Sequence, residues 1–530
     1  MKPCNYAKML HEDDCSKAFE AVLAQSGKFG HYQRRLYAIV SAMHVVCTSI
    51  LTYMKFIPNL ELKQECTEII VSDGNSSFLF LRFNETATYP VTCRTYYDND
   101  NGLELDWKFP EWAYPGFEPD VRTAIHYSQC IGLAVGFVLG SILSDLLGRR
   151  RVMYAFFTLL CIAQCSCGAA QSWKFFLVCR GVVGFGAGSF IVTSLVLVLE
   201  YVGHDWRDIC ICLVPWWFGP SLLSLEALVT RHWRYLALFS GLAGGPLIGS
   251  YFLVLESSRW LLCHHRFSQA EQTIKEVVAC NCRPVPELTT LFDISRTCIL
   301  NTMHKKTFTY LDLFTTGRLR RGTFAVIFTW FLGSTAYCGL FRDIRQLTSN
   351  PYLNNFILYN TDAVVIVCAV LINKCLGRRW CLFLYAMSSG LVSLCILVLH
   401  VSNETIDMSM INSLGFFTKM GVTTTLTIIN LVTMETYPTV IRTMGLCIGF
   451  LAGLAGYILA DKVIVYLVPF HYTIPFLVYG GMMCVLALGV LFFPETIRKP
   501  LPDILRCRHR NLCAREPVRL SHPISHSWFT

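Results

Sequence analysis

The sequence predicts an all-α membrane protein of twelve spanning helices, built as two related six-helix halves. Three observations predict it: a composition too apolar for water, twelve apolar runs of spanning length, and charged clusters that occur twice in the same order. Hydrophobic residues make up 53% of the 530 and charged residues only 15%, with a mean hydropathy of +0.45. Soluble domains carry about 25% charge, so a bilayer is the solvent that suits this chain.

A spanning helix takes about 20 mostly apolar residues. Runs of that kind occur at 36–55, 124–147, 152–170, 175–199, 209–229 and 235–255. A second set follows at 322–341, 354–373, 380–400, 408–433, 443–467 and 473–493. The stretch Met1 to Ser16 is polar, with His11, Glu12, Asp13 and Asp14, so the run from Leu36 is expected to act as both signal and anchor. Basic residues gather in alternate connections: Arg149–Arg150–Arg151, Arg207, the stretch 263–321, Lys374, Arg378 and Arg379, Arg442, and the tail from Arg498. The positive-inside bias then puts both termini in the cytoplasm.

The expected organisation is a cytoplasmic N-terminus (1–35), a first half (36–262) with a large outer loop (56–122), a cytoplasmic linker (263–321), a second half (322–493) and a cytoplasmic tail (494–530). Outer segments hold three glycosylation acceptors, Asn75, Asn84 and Asn403, which fit an extracellular setting. They also hold Cys66 and Cys93, which an oxidising exterior permits to pair or leaves as two free thiols.

Several function classes are excluded. The net charge of +9 is distributed as topology signals, which argues against a nucleic-acid partner. Most of the 25 cysteines lie inside apolar runs, as small hydrophobes. Cys280 and Cys282 have no second Cys or His pair nearby, so no metal site is expected. No Walker-type phosphate loop is present, and Gly181, Gly184, Gly186 and Gly188 fall in an apolar run, where small residues serve helix packing. An enzyme, a cofactor and an ATP-driven pump are therefore not expected.

The repeat gives the second half of the argument. Gly148-Arg149-Arg150 after the second run has its counterpart in Gly377-Arg378-Arg379 after the eighth. Glu200 and Arg207 stand seven apart, as do Glu435 and Arg442. Glu256 to Arg259 after the sixth run answers to Glu495 to Arg498 after the twelfth. The offsets are 229, 235 and 239 residues, so order and spacing are both kept. Paired acids and arginines at helix ends form charge-assisted bonds, and the expected device is a gate that closes when the halves rock together. The charges assigned to it are Asp145, Arg149, Arg150, Arg180, Glu200, Arg207, Glu256, Arg259, Arg378, Arg379, Glu435, Arg442 and Glu495, with Glu200 expected to pair with Arg207.

These motifs carry a resemblance. The chain resembles the organic cation and anion transporter family (solute carrier family 22) of the major facilitator superfamily, over nearly its whole length. The resemblance rests on Gly27 to Gln33 before the first run, Asp145-Leu146-Leu147-Gly148-Arg149-Arg150, and Arg231-His232-Trp233-Arg234. It rests further on Glu256-Ser257-Ser258-Arg259-Trp260-Leu261-Leu262, Glu435 to Arg442, and Pro494-Glu495-Thr496 with Leu501-Pro502-Asp503. It implies a major facilitator fold, a plasma-membrane location, and carriage of small organic solutes between the halves, with or without a coupling ion, by a protein functional as a monomer.

Family resemblance also points to solute-site residues. Lys419 matches a position usually Lys or Arg, and Asp362 one usually acidic; an intramembrane charge is costly enough to need a reason. Asp461 and Glu226 are further ionisable residues in apolar runs. The alternative to a solute role is that these charges pair with each other or with backbone. Trp216, Trp217, Phe218, Trp330 and Tyr337 are expected to form an aromatic cage or to pack ordinarily. The positions that divide cation from anion carriers are emptied: Leu454 is neutral, Ile366 stands where anion carriers have Lys, and Cys338 replaces an aromatic. Lys374 stands where the loop motif has Asp. The leading reading is a carrier of organic ions, zwitterions or vitamin-like molecules. The alternative is a receptor or scaffold that keeps the fold without transport.

Overall fold

The computed structural model describes residues 12–56, 119–293, 309–343, 351–402, 408–467 and 474–495, apart from positions 204, 231, 290, 492 and 494. Asn75, Asn84, Asn403, Cys66 and Cys93 lie outside the described residues, as does the tail beyond Glu495.

The first half contains α1 (Glu12–Gly27), α2 (His31–Thr52), α3 (Pro119–Leu147), α4 (Arg149–Gly168) and α5 (Trp173–Tyr201). It continues through α6 (Arg207–Cys212), α7 (Phe218–Thr230), α8 (Trp233–Leu242), α9 (Gly245–Ile248) and a 3-10 turn, Gly249–Leu253. After α10 (Ser258–Cys263) and α11 (Phe267–Cys280), the second half runs through α12 (Gly317–Asp343), α13 (Pro351–Leu376), α14 (Arg378–Ser402), α15 (Met408–Thr436), α16 (Arg442–Leu467) and α17 (Ile474–Val490).

Among the described residues, nine helical segments are long and apolar enough to cross a membrane. The three other expected runs fall short for visible reasons: the fifth is broken into α6 and α7, α15 carries Lys419 and a run of threonines, and α17 is 17 residues long. The break follows from Pro215, which lacks an N–H and disfavours helix at Val214. The Leu213 carbonyl so freed accepts a hydrogen bond from the Tyr37 hydroxyl at 2.8 Å.

Two large hydrophobic clusters form the bundle. One gathers α2 to α8 around residues such as Met43, Phe157, Phe190 and Leu195; the other gathers α12 and α14 to α17 around Val326, Leu382, Tyr479 and Met483. Helices α3 and α5 approach to backbone contact: a Cβ on Gly184 would lie 2.2 Å from the Gln129 carbonyl oxygen. The glycine run of α5 is thus a packing surface.

Two features were not expected from the sequence. Arg149, Arg378 and Arg442 are not loop residues but the first residues of α4, α14 and α16; hydropathy marks the edge of the apolar region, not the end of the helix. Secondly, α1, α10 and α11 form a small helical module with its own core of Phe19, Val22, Leu261, Ile274 and Val278. In α11 the buried positions Ala270, Thr273, Ile274, Val277 and Val278 follow the stripe of an amphipathic helix. Asn281 ties this module to the start of α2: its Oδ1 accepts from the Tyr32 N–H at 2.9 Å, and its Nδ2 donates to the Ser26 carbonyl at 2.8 Å and to Gln33 Oε1 at 3.0 Å.

Candidate functional site

At the arginine-rich end of the bundle, the two halves repeat one construction. Gly148 and Gly377 adopt left-handed backbone with φ of 107° and 85°, turning the chain sharply between α3 and α4 and between α13 and α14. Glu256 then receives the backbone N–H groups of Arg149 at 2.8 Å and Arg150 at 3.2 Å. Glu495 receives those of Arg378 at 3.1 Å and Arg379 at 3.2 Å. Each carboxylate caps a helix N-terminus, where free N–H groups and the helix dipole favour negative charge. Burial pushes the Glu256 carboxyl above its usual range, and the backbone donors oppose that push. The first and third motifs of the repeat are therefore two sides of one contact.

The second motif crosses between halves. Glu200 lies 3.5 Å from Arg149 in its own half and 3.7 Å from Arg442 in the other. Asp145 pairs with Arg149 at 3.0 Å and accepts a hydrogen bond from Thr443 of the other half at 2.5 Å. The expected Glu200–Arg207 pair is not made; Arg207 and Arg259 instead share Glu20 of α1, at 2.5 and 2.7 Å. Seven positions along a continuous helix would sit on one face, but the chain leaves the helix after Tyr201 and turns before Arg207, so the spacing does not bring them together.

Arg378 carries the cognate role in the second half and contacts both Glu435, at 3.3 Å, and Asp208 of the first half. Asp208 had no place in the sequence reading. A signal existed: Lys374 stands four residues before Arg378, where Asp145 stands four before Arg149, so Arg378 lacks its local acid and takes one from across the seam. Burial pushes the Asp208 carboxyl up to about 6, with Arg378 opposing the shift. Arg150 and Arg379 offer their backbone to the caps and lay their guanidinium groups over Tyr251 and Trp380. Arg180 is not part of this network. It is buried near the start of α5 against Gln164, Gln129 and the Ile50 carbonyl.

Midway along α13 and α15 lies a second charge site. Lys419 is 0% and Asp362 2% exposed. The Lys419 ammonium donates to Asp362 Oδ1 and to the Leu358 carbonyl, both at 2.6 Å, and Thr423 donates to Asp362 Oδ1 at 3.3 Å. Leu358 and Tyr359 form a cluster with Trp217, Tyr337 and Phe416. Asn360 donates across the seam to Ser221 Oγ at 2.6 Å. Tyr359 and Phe416 were missed in the sequence although each lies three residues before a charge and therefore on its face of the helix.

The five expected aromatics do not form a single cage. Trp217 and Tyr337 join the cluster, whereas Trp216 turns to His44 and Phe218 is 43% exposed. Trp330 donates to Thr433 at 3.0 Å and packs on Phe450, which meets Phe137 of the other half. Leu454 is half-buried one turn beyond Phe450. Ile366 is buried, Glu226 is half-buried, and the side chain of Asp461 lies outside the described residues.

Two six-helix halves, ion-paired at one end and enclosing a charge pair at mid-depth, define a membrane transporter. Residues 118–506 match the sugar (and other) transporter family. The organic cation/carnitine transporter 2 of Homo sapiens is 29% identical over 71% of this chain and 67% of its own length. Solute carrier family 22 member 7 of Rattus norvegicus is 30% identical over 73% and 72%. Among solved structures, the major facilitator proton:xylose symporter XylE, bound to 6-bromo-6-deoxy-D-glucose, aligns with a TM-score of 0.65 at 17% identity, covering 89% of this chain and 98% of the other. The chain belongs to solute carrier family 22, has the major facilitator fold, and transports small organic solutes across a membrane.

Proposed function

We propose that the chain is an alternating-access carrier of zwitterionic organic solutes, which bind at the Lys419–Asp362 pair. The observation that supports this reading is the pair itself: a cation and an anion, fully buried, each the other's partner. Charges at this depth cost about 2.5–3.5 kcal/mol each on insertion scales. A solute with one net charge would replace one partner and strand the other. A solute carrying both signs exchanges with both at once and leaves the site neutral. The neutral residues at Leu454 and Ile366 fit the same selection, since neither adds a net charge. Trp217, Tyr337, Tyr359 and Phe416 supply apolar contact around the pair, and a relative bearing carnitine in its name gives a chemical precedent.

In this reading the halves 36–262 and 322–493 rock about the pair, the linker 263–321 joins them, and the arginine-rich end is the cytoplasmic gate. The protein sits in the plasma membrane as a monomer with both termini inside, works with or without a coupling ion, and leaves its solute chemically unchanged. The test is uptake of labelled cations, anions and zwitterions by cells expressing the chain, beside Lys419→Ala and Asp362→Ala, with surface expression matched. Saturable zwitterion uptake, lost in both variants, is expected. Wild-type uptake by either variant would remove the pair from the solute site.

A further inference from the structure

Away from the seam, a cavity of about 280 Å³ opens between the first turn of α4, the 3-10 turn before Glu256, and α11. Arg150, Arg151 and Arg266 line it together with Tyr251, Leu255 and Trp260. Arg150 is committed: its Nη2 donates to the Tyr251 carbonyl at 2.8 Å, and its guanidinium stacks on the Tyr251 ring at 4.0 Å. The other two arginines are open. Arg266 lies over the Trp260 ring at 5.2 Å, and neither it nor Arg151 forms an ion pair among the described residues.

The two carboxylates on the wall are already engaged. Glu256 receives backbone N–H groups, and Glu276 accepts from Gln272 at 2.9 Å. Both carboxylates keep their charge, so the lining sets three guanidinium groups against two carboxylates; the two open guanidinium groups have planar donor forks that suit phosphate oxygens. The cavity is smaller than the 300–1,000 Å³ or so of ordinary organic-ligand pockets. Its rim continues into exposed apolar residues of the bundle surface, Leu146, Leu147, Phe252 and Leu253. Positive charge directly beside a lipid-facing apolar edge is the arrangement that attracts acidic headgroups.

We propose that this cavity binds the phosphorylated headgroup of an anionic membrane lipid, with Arg151 and Arg266 on the phosphate and the acyl chains along the Leu147 and Phe252 edge. The site shares Glu256 and Trp260 with the gate, and Trp260 Nε1 donates to the Asp145 carbonyl at 2.9 Å. An occupied site therefore buttresses the closed end.

The test uses the purified full chain in detergent, titrated with short-chain phosphatidylinositol bisphosphate, short-chain phosphatidylcholine, and free inositol trisphosphate. Saturable binding of the phosphoinositide is expected, well above both comparison ligands. The double variant R151Q/R266Q is expected to bind it roughly thirty-fold more weakly, about five-fold per lost arginine, with an unchanged thermal melt because both side chains are exposed. Unaltered affinity in R151Q/R266Q would overturn the site. Equal binding of free inositol trisphosphate would overturn the lipid as its ligand.

Discussion

Removing the Glu200 charge tests the gate most directly. Glu200 is 1% exposed, and its two oxygens face arginines in different halves. The Arg149 contact lies within one half, whereas the Arg442 contact, at 3.7 Å, crosses between halves, so in the proposed rocking motion the second would break on opening and the first would not. At an effective dielectric near 20, unit charges at that separation attract by about 4.5 kcal/mol. Desolvation returns much of this, and measured couplings between contacting residues run at about 0.5–3 kcal/mol, a fully buried ion pair falling in the upper part, about 1–3 kcal/mol. A coupling of that size corresponds to a roughly 5- to 150-fold change in the ratio of shut to open molecules. The assay is a double-mutant cycle over Glu200→Gln and Arg442→Gln, reading spin-label distances between the arginine-rich ends of α5 and α16. Each single variant is expected to enlarge the open population, and the pair to show coupling of that order. A parallel cycle with Arg207→Gln is expected to show none, because Arg207 is held by Glu20. Coupling below about 0.5 kcal/mol for Glu200 with Arg442, at the floor of measured contact couplings, would refute the closed-end reading.

Two other perturbations follow from the same end of the molecule. A Cβ at position 148 would fall 2.4 Å from Glu256 Oε2 at a φ of 107°, so Gly148→Ala is expected to lose about 2–4 kcal/mol from backbone strain and displaced hydrogen bonds. Thermal unfolding in detergent checks this, and a variant as stable as wild type would contradict the capping contact. Burial raises the Asp208 carboxyl to about 6 in this arrangement, against an ordinary 3.8; in the proposed gate this arrangement is the shut one. Protonation therefore favours the shut state: the stabilisation is complete below about pH 4 and is lost as pH rises through about 6. The spin-label distances are expected to shift over that window in the wild type and to shift less in Asp208→Asn. An unchanged pH response in the variant would reassign the titration.

The large architecture was legible in the sequence because bilayer physics writes it there: apolar length sets the spans, and a twice-used set of charges marks the halves. Lys419 and Asp362 stood out for the same reason, as charges in places where charges are expensive. What did not show was which charges meet. Glu200 and Arg207 are close in sequence but separated by the end of a helix, while Asp208 finds Arg378 only through the fold. The α1, α10 and α11 module was also invisible to hydropathy, since amphipathic helices such as Phe267–Cys280 bury a stripe rather than a whole surface. Glu20, which holds Arg207 and Arg259, sits inside that unread module.

The exchange of Lys374 for an acid alters how the two halves depend on one another. In the first half, Arg149 finds Asp145 one turn away and Glu200 in the same fold unit, so its neutralisation is local. In the second half, Arg378 has Glu435 as its internal partner and takes the other acid from its neighbour. Ancestrally equivalent units have thus become donor and recipient. A split chain expressed as two polypeptides would leave the recipient short of one charge until the donor arrived, giving assembly a built-in direction.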